Sequence, residues 1–285
     1  MESPGLLALV VDCDEESWRQ RHAMCLESQV NFSELASNVV LFCNSYTLMH
    51  RQNRLYVVAC GRQLENGFRV LYPRPDESDE FVPQVHSLSQ VLTNGLVATQ
   101  LQSVRAADSS SSSSRRDKAE NFISRALSTC LCVINRQLLG CSAAQLQPRI
   151  LVAQLSKDYA PSYNNVMNCI FSADKARVPI DALVLRSSDE SQFLQQACYI
   201  SRGIYQRPAD QRDLLQLMLT HCLPSNSARA TLCAPQQKVV EFKASCFCHK
   251  KPVEFAYMCS VCLALTCSRT PTCATCGTET TYAAE

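Results

Sequence analysis

The run Leu6–Val11 (LLALVV) constrains the fold more than any other stretch of the chain. It is far shorter than the ~20 apolar residues that a bilayer requires. It also does not alternate with polar residues, so neither face of it is suited to water. A strand of this kind lies inside a sheet covered on both sides by helices. The run ends on Asp12 and is followed by Asp14, Glu15 and Glu16. In open α/β sheets ligands gather just past the carboxyl ends of the strands, so these acids stand at the default binding position.

The remaining pattern supplies the layers. Asn31 and Glu34 fit a capping box, Val30 and Leu35 its hydrophobic staple. Phe32, Leu35, Val39, Phe42, Cys43 and Tyr46 then recur at helical spacing, predicting a helix over Asn31–His50. Leu55–Cys60 and Phe68–Tyr72 read as strands joined by a short turn with Gly61, Asn66 and Gly67, which predicts an antiparallel hairpin. A helical patch follows near Val85–Leu101, then a low-complexity serine run at Ser109–Ser114 that reads as a surface loop. Asp117 and Glu120 offer a second capping pair. The helix behind them presents Phe122, Ile123, Ala126, Leu127, Cys130, Val133 and Ile134 on one face.

From Ile150 strands and helices alternate. ILVAQL is a strand ending at Lys157 and Asp158. Tyr163–Arg177 is a helix facing inward through Val166, Met167, Ile170 and Phe171. Ile180–Leu185 is a strand, and Glu190–Arg202 a helix with Gly203 as its C-cap. Ile204–Tyr205 is a short strand, and Asp210–Leu223 a helix ended by Pro224. Strands separated by helices of this length imply parallel pairing. The fold class is α/β: a doubly wound, mostly parallel six-stranded sheet with one antiparallel edge strand, then a small cysteine-rich module. The expected division is 1–224 for the α/β domain, 225–245 for a polar linker with one extended patch at Val239–Phe242, and 246–285 for the module.

Of 18 cysteines, seven fall between Cys246 and Cys276. The other eleven lie mostly beside apolar neighbours and read as buried small hydrophobes of a reducing compartment. Two C-x2-C pairs, Cys259/Cys262 and Cys273/Cys276, are ten residues apart. Each forms a knuckle with two thiolates aimed at one ion, and two knuckles complete the tetrahedral shell of structural Zn2+. Four thiolates leave no open coordination position, so the metal is expected to be structural. Cys246, Cys248, His249 and Cys267 are left over, for a second site or for packing.

Residues 241–285 carry four Lys/Arg and four Asp/Glu, and the whole chain has a formal net charge of +1. A four-thiolate zinc site adds negative charge, which disfavours a phosphate backbone as ligand. Protein partners are therefore expected, with no direct nucleic acid, no membrane and no small-molecule substrate. Phosphate-binding loops, nucleophile elbows and H-E-x-x-H motifs are missing from the sequence, so no catalysis is expected.

A strand of the Leu6–Asp12 type, a first helix, an edge hairpin and then β/α units resemble the von Willebrand factor A-type fold. The resemblance implies a metal-ion-dependent adhesion site with D-x-S-x-S after the first strand. Asp12 matches the leading Asp and Asp158 the last. Asp14 and Glu16 replace the two serines, so the site reads as degenerate and Mg2+ is not expected. Trp18 reads as the anchor of the acidic turn.

The order CFCH (246–249), YMCSVCL (257–263) and PTCATC (271–276) behind such a domain is more specific, as are VVDCDEESW, RILVAQLSKD and FLQQACYISRGIY. Together they resemble the family of 34-kilodalton subunits of the general transcription and DNA-repair factor TFIIH, over nearly the whole chain. That resemblance implies a nuclear, non-catalytic scaffold subunit of the TFIIH core, with a 44-kilodalton subunit as its main partner. It also implies a zinc finger at Cys259, Cys262, Cys273 and Cys276. The alternative is a RING-like ubiquitin ligase with an A-type substrate-binding domain.

Overall fold

The computed structural model describes residues 3–24, 29–73, 85–101, 122–140, 146–159, 162–186, 190–208, 210–232, 244–246, 252–261, 264–274 and 276–279. The serine run, the Asp117/Glu120 capping pair and the Val239–Phe242 patch lie outside them, as do Cys248, His249 and Cys262.

The first strand, β1 (Gly5–Asp12), is the centre of the molecule. It pairs in parallel with β2 (Arg54–Cys60) on one side and β4 (Gln147–Gln154) on the other. Leu6, Ala8 and Val10 join one core, Leu7, Leu9 and Val11 the other, all essentially inaccessible. This is why the run does not alternate: both faces of the pleat are covered. Each fully buried Leu or Val contributes about 1.5–3 kcal/mol relative to exposure.

The sheet order is β3-β2-β1-β4-β5-β6, with β3 (Phe68–Tyr72) the antiparallel edge. β5 (Ile180–Val184) and β6 (Tyr205–Gln206) extend the parallel part. This is the doubly wound, von Willebrand factor A-like arrangement expected from the sequence. One face carries α4 (Phe122–Gly140), α5 (Tyr163–Lys175) and α6 (Gln192–Ser201). The other carries α1 (Glu15–Met24), α2 (Phe32–Met49), α3 (Val85–Leu101) and α7 (Leu214–Leu217), which runs on into a π-helical turn at Met218–Cys222. The capping box at α2 forms: the Asn31 N–H donates to Glu34 Oε2 at 2.9 Å. Val30 and Leu35 are buried together in the same core.

Four details differ from the sequence pattern. Phe171 is 56% exposed, because it lies one residue, about 100°, past Ile170 and outside the buried stripe of α5. The left-handed residue closing α6 is Arg202 (φ 60°), not Gly203. Gly203 serves another purpose, since a Cβ there would stand 1.9 Å from the Ile180 carbonyl oxygen. The expected helix over Asp210–Leu223 starts late, because Gln211 is buried and its amide donates to the Leu185 carbonyl at 2.7 Å. Finally, the segment read as linker opens with a helix, α8 (Asn226–Thr231), capped by Ser225.

Arg229 on α8 reaches back to Asp181 in β5 with hydrogen bonds of 2.9 and 2.6 Å. Arg149 Nε lies 3.7 Å from the same carboxylate. The two guanidiniums also cap the end of the π-helical turn, Arg149 on the Leu223 and Pro224 carbonyls and Arg229 on those of His221 and Cys222. Two positive charges thus meet one carboxylate and a helix C-terminus, which carries partial negative charge.

Candidate metal centre and the carboxylate end of the sheet

β1 delivers Asp12, buried, to the carboxyl end of the sheet. Its Oδ1 accepts the Asp14 N–H at 3.0 Å. Its Oδ2 accepts the Leu155 and Ser156 N–H groups at 3.0 and 2.7 Å and the Ser156 hydroxyl at 2.5 Å. Burial raises the Asp12 carboxyl above its ordinary value, against the lowering effect of the Ser156 hydrogen bonds.

Asp14 caps α1, accepting the Ser17 N–H and hydroxyl at 3.2 and 2.7 Å. It also receives Arg62 from the β2–β3 turn, through Nε at 2.8 Å and Nη2 at 2.6 Å. Burial alone would raise this carboxyl, but the hydrogen bonds of Arg62 and Ser17 and the Arg62 charge outweigh it and hold the group below its ordinary value. Trp18 anchors the turn as the sequence suggested, its indole donating to the Asp12 carbonyl at 2.9 Å.

Asp158 turns elsewhere. It accepts from the Ser191 hydroxyl at 2.7 Å, the Phe193 N–H at 3.3 Å and the Gln154 amide at 3.2 Å. The structure therefore couples Asp12 to Asp14, but commits Asp158 to the start of α6. Each carboxylate is satisfied from within the chain, and the cation beside Asp14 is a side chain. A cavity of about 280 Å³ opens beside them, floored by Phe122, Val166, Phe193 and Leu194. Arg62 had no sequence signal, because nothing in GRQLENG reveals that its turn lies over the end of β1.

In the C-terminal module, β9 (Tyr257–Met258) and β10 (Leu265–Thr266) form a two-stranded hairpin. Cys259 follows β9 directly, and its N–H donates to the Ala264 carbonyl at 2.9 Å. The Sγ atoms of Cys259, Cys273 and Cys276 lie within 4.8 Å of one another, and those of Cys259 and Cys276 are 3.8 Å apart. A disulfide needs about 2.05 Å. Two sulfurs each ~2.3 Å from a tetrahedral ion are themselves about 3.8 Å apart. The three thiols thus fit a metal shell, and the fourth member of the set, Cys262, lies outside the described residues. Cys246 is buried at the end of β7 (Ala244–Ser245), which pairs with β8 (Pro252–Val253). Cys267 is exposed, and its N–H donates to Cys246 Sγ at 3.2 Å.

These features define a class: a von Willebrand factor A-like domain whose carboxylates at the carboxyl end of the sheet are held by the chain's own groups, followed by a cysteine-rich module able to hold a metal. Residues 4–277 match the model of the family described as transcription factor Tfb4. General transcription factor IIH subunit 3 of Dictyostelium discoideum is 33% identical over 264 residues, 88% of this chain and 68% of that protein. The general transcription and DNA repair factor IIH subunit tfb4 of Schizosaccharomyces pombe is 30% identical over 289 residues, 98% of this chain and 90% of that one. Among solved structures, the TFIIH p34 N-terminal domain superposes with a TM-score of 0.61 at 28% identity, covering 76% of this chain and 97% of that one. The chain belongs to the Tfb4 family of transcription factors.

Proposed function

We propose that the chain is a non-catalytic scaffold subunit of the TFIIH core complex, working in the nucleus in RNA polymerase II initiation and nucleotide excision repair. Its principal partner is the 44-kilodalton subunit. The observation that carries this reading is the family match, which runs through both the α/β domain and the cysteine module, over residues 4–277. The geometry agrees: the acids at the carboxyl end of the sheet are engaged with Ser156, Arg62 and Ser191 rather than presented for chemistry.

Cys259, Cys262, Cys273 and Cys276 hold one structural Zn2+, which orders the module because so short a segment lacks the core to order itself. The chain divides into the α/β domain at 1–224, a linker at 225–245 and the zinc module at 246–285. Arg229 ties the opening part of the middle segment to the domain.

The test is co-expression of the full chain with the 44-kilodalton TFIIH subunit of the same organism, followed by affinity capture and size-exclusion chromatography. A stoichiometric complex is expected, with no discharge of ubiquitin from a charged conjugating enzyme. Failure to form the complex, or robust ubiquitin discharge by the chain alone, would overturn the scaffold reading and favour the ligase alternative.

A further inference from the structure

We propose that the outer face of α5 and α6 is a docking surface for an acidic segment of a partner protein, anchored by an apolar side chain of that segment. The two helices pack side by side. Each leads, past a closing arginine, into one of two adjacent parallel strands: Arg177 lies shortly before Ile180 in β5, and Arg202 shortly before Tyr205 in β6. Both arginines therefore emerge at the same edge of the sheet, the end away from Asp12.

The apolar part of the face consists of two rings. Phe171 on α5 and Tyr199 on α6 are 56% and 55% exposed, and neither belongs to the core beneath these helices. Phe171 shares its side of α5 with the exposed Lys175, one turn on. Tyr199 lies one turn before Arg202. Aromatic side chains and arginine are the residues in which protein interfaces and their hot spots are enriched.

Charge decides the occupant. Residues 122–140, 163–177 and 192–203, which form this helical layer, hold five Lys/Arg and one acid, Asp174, whereas the whole chain is nearly balanced at 27 and 26. Of the five, Arg125 donates to the Asn66 carbonyl at the hairpin. Arg136, Lys175, Arg177 and Arg202 are exposed and form no ion pair among the described residues. Arg177 and Arg202 are also the two non-glycine residues with positive φ among those described, at 56° and 60°. Glycine is the usual occupant of such a helix-closing position, because an L side chain is strained there. Lys175 already gives α5 a cation for its negative C-terminus, so local structure does not call for the arginine beyond it. A face of this sign draws carboxylates, and its rings call for an apolar side chain to cover them. Single-stranded nucleic acid is held in a basic groove that tracks its backbone, whereas these cations stand on the outer side of a helical layer. The proposal goes beyond the scaffold reading, and its test reads this face alone, so either can fail without the other.

The test is fluorescence anisotropy of the full chain with a labelled synthetic peptide of Asp and Glu that carries one Phe and one Leu. A second peptide, with Gly at those two positions, has the same charge. The first is expected to bind about tenfold more tightly than the second, and both more weakly as salt rises. Phe171→Ser with Tyr199→Ser should erase the difference between the peptides. Arg177→Gly with Arg202→Gly should weaken both about tenfold while leaving the urea midpoint equal to wild type or higher, since glycine is at home at these φ values. Arg19→Glu, exposed on α1 across the sheet, should change neither. Absence of peptide binding to the wild-type chain, or binding that both double variants leave intact, overturns the proposal. Tighter binding of a single-stranded oligonucleotide than of the first peptide, lost in the same variants, overturns it in favour of nucleic acid.

Discussion

Replacing Asp181 by alanine tests whether the contact between α8 and the sheet is an energetic part of the domain. The carboxylate is fully buried and accepts two hydrogen bonds from Arg229 and one, at 2.9 Å, from the Ile204 N–H. Its removal strands two largely buried guanidiniums. Burial already lowers the Arg149 pKa, and the Asp181 charge opposes that shift. Breaking a buried ion pair from one side costs about 3–5 kcal/mol. Both arginines keep their carbonyl partners on the π-helical turn, which puts the expected loss near the lower end, about 3 kcal/mol. For a domain of this size that lowers Tm by about 6–12 °C. Urea unfolding followed by fluorescence of Trp18, the single tryptophan and a buried one, should show a lower midpoint at unchanged m. Arg229→Ala should cost less, about 1–2 kcal/mol, since Asp181 keeps Arg149 and Ile204. The double variant should be less destabilised than the sum of the two. A loss below about 1 kcal/mol for Asp181→Ala, or strict additivity, would refute the reasoning.

Three further outcomes are expected. Gly203→Ala drives a Cβ to 1.9 Å from the Ile180 oxygen and should cost about 3 kcal/mol, the upper end for overpacking; a wild-type urea midpoint would contradict the close approach. Arg62→Ala should cost about 1–2 kcal/mol at neutral pH, discounted because the arginine side chain is 41% exposed. With Arg62 present the Asp14 carboxyl is depressed, so its contribution is full above the unfolded carboxylate pKa and fades as pH falls through the lowered value. Without Arg62 its hydrogen bonds and charge no longer hold the carboxyl down, so this loss on the acid side should shrink; parallel curves for the two proteins would exclude the mechanism. Phe171→Ser should change stability by less than about 0.5 kcal/mol, and a larger loss in the same unfolding experiment would mean that the ring is buried in solution.

The central strand was legible because burial on both faces leaves a simple mark, an uninterrupted apolar run. The helix Phe32–Met49 was legible for the opposite reason, as its cap, staple and apolar stripe all agree. By contrast, among the residues of α1 whose burial is described, Trp18 and Arg21 alone turn firmly inward, too little for a periodic signal. Arg21 is held there by the Leu185 carbonyl at 2.9 Å and by Gln211, partners far away in sequence. The same holds for Arg62 with Asp14 and Arg229 with Asp181: charges that meet across loops leave no local pattern. Asp181 itself was a usable hint, a carboxylate inside IDALVL that needed a cation from somewhere. At the cysteine module the spacing carried over into geometry because knuckle pairs are local, which fixes Cys273 near Cys276. That these two approach Cys259 could only be inferred from the number of ligands an ion requires.

The Arg62–Asp14 contact has a consequence for how the protein meets its surroundings. A diffusible ion occupies a carboxylate site to an extent set by its free concentration, and it can be exchanged, competed away or chelated. A guanidinium carried on the chain's own turn has a local concentration fixed by loop geometry, and chelators do not act on it. The carboxyl end of this sheet thus carries, beside Asp14, a positive charge that the chain itself supplies. The group of described residues able to take up an ion lies at the other end of the sequence, in the three thiols of Cys259, Cys273 and Cys276, so the charge at the carboxyl end of the sheet and the metal-competent thiols belong to separate parts of the chain.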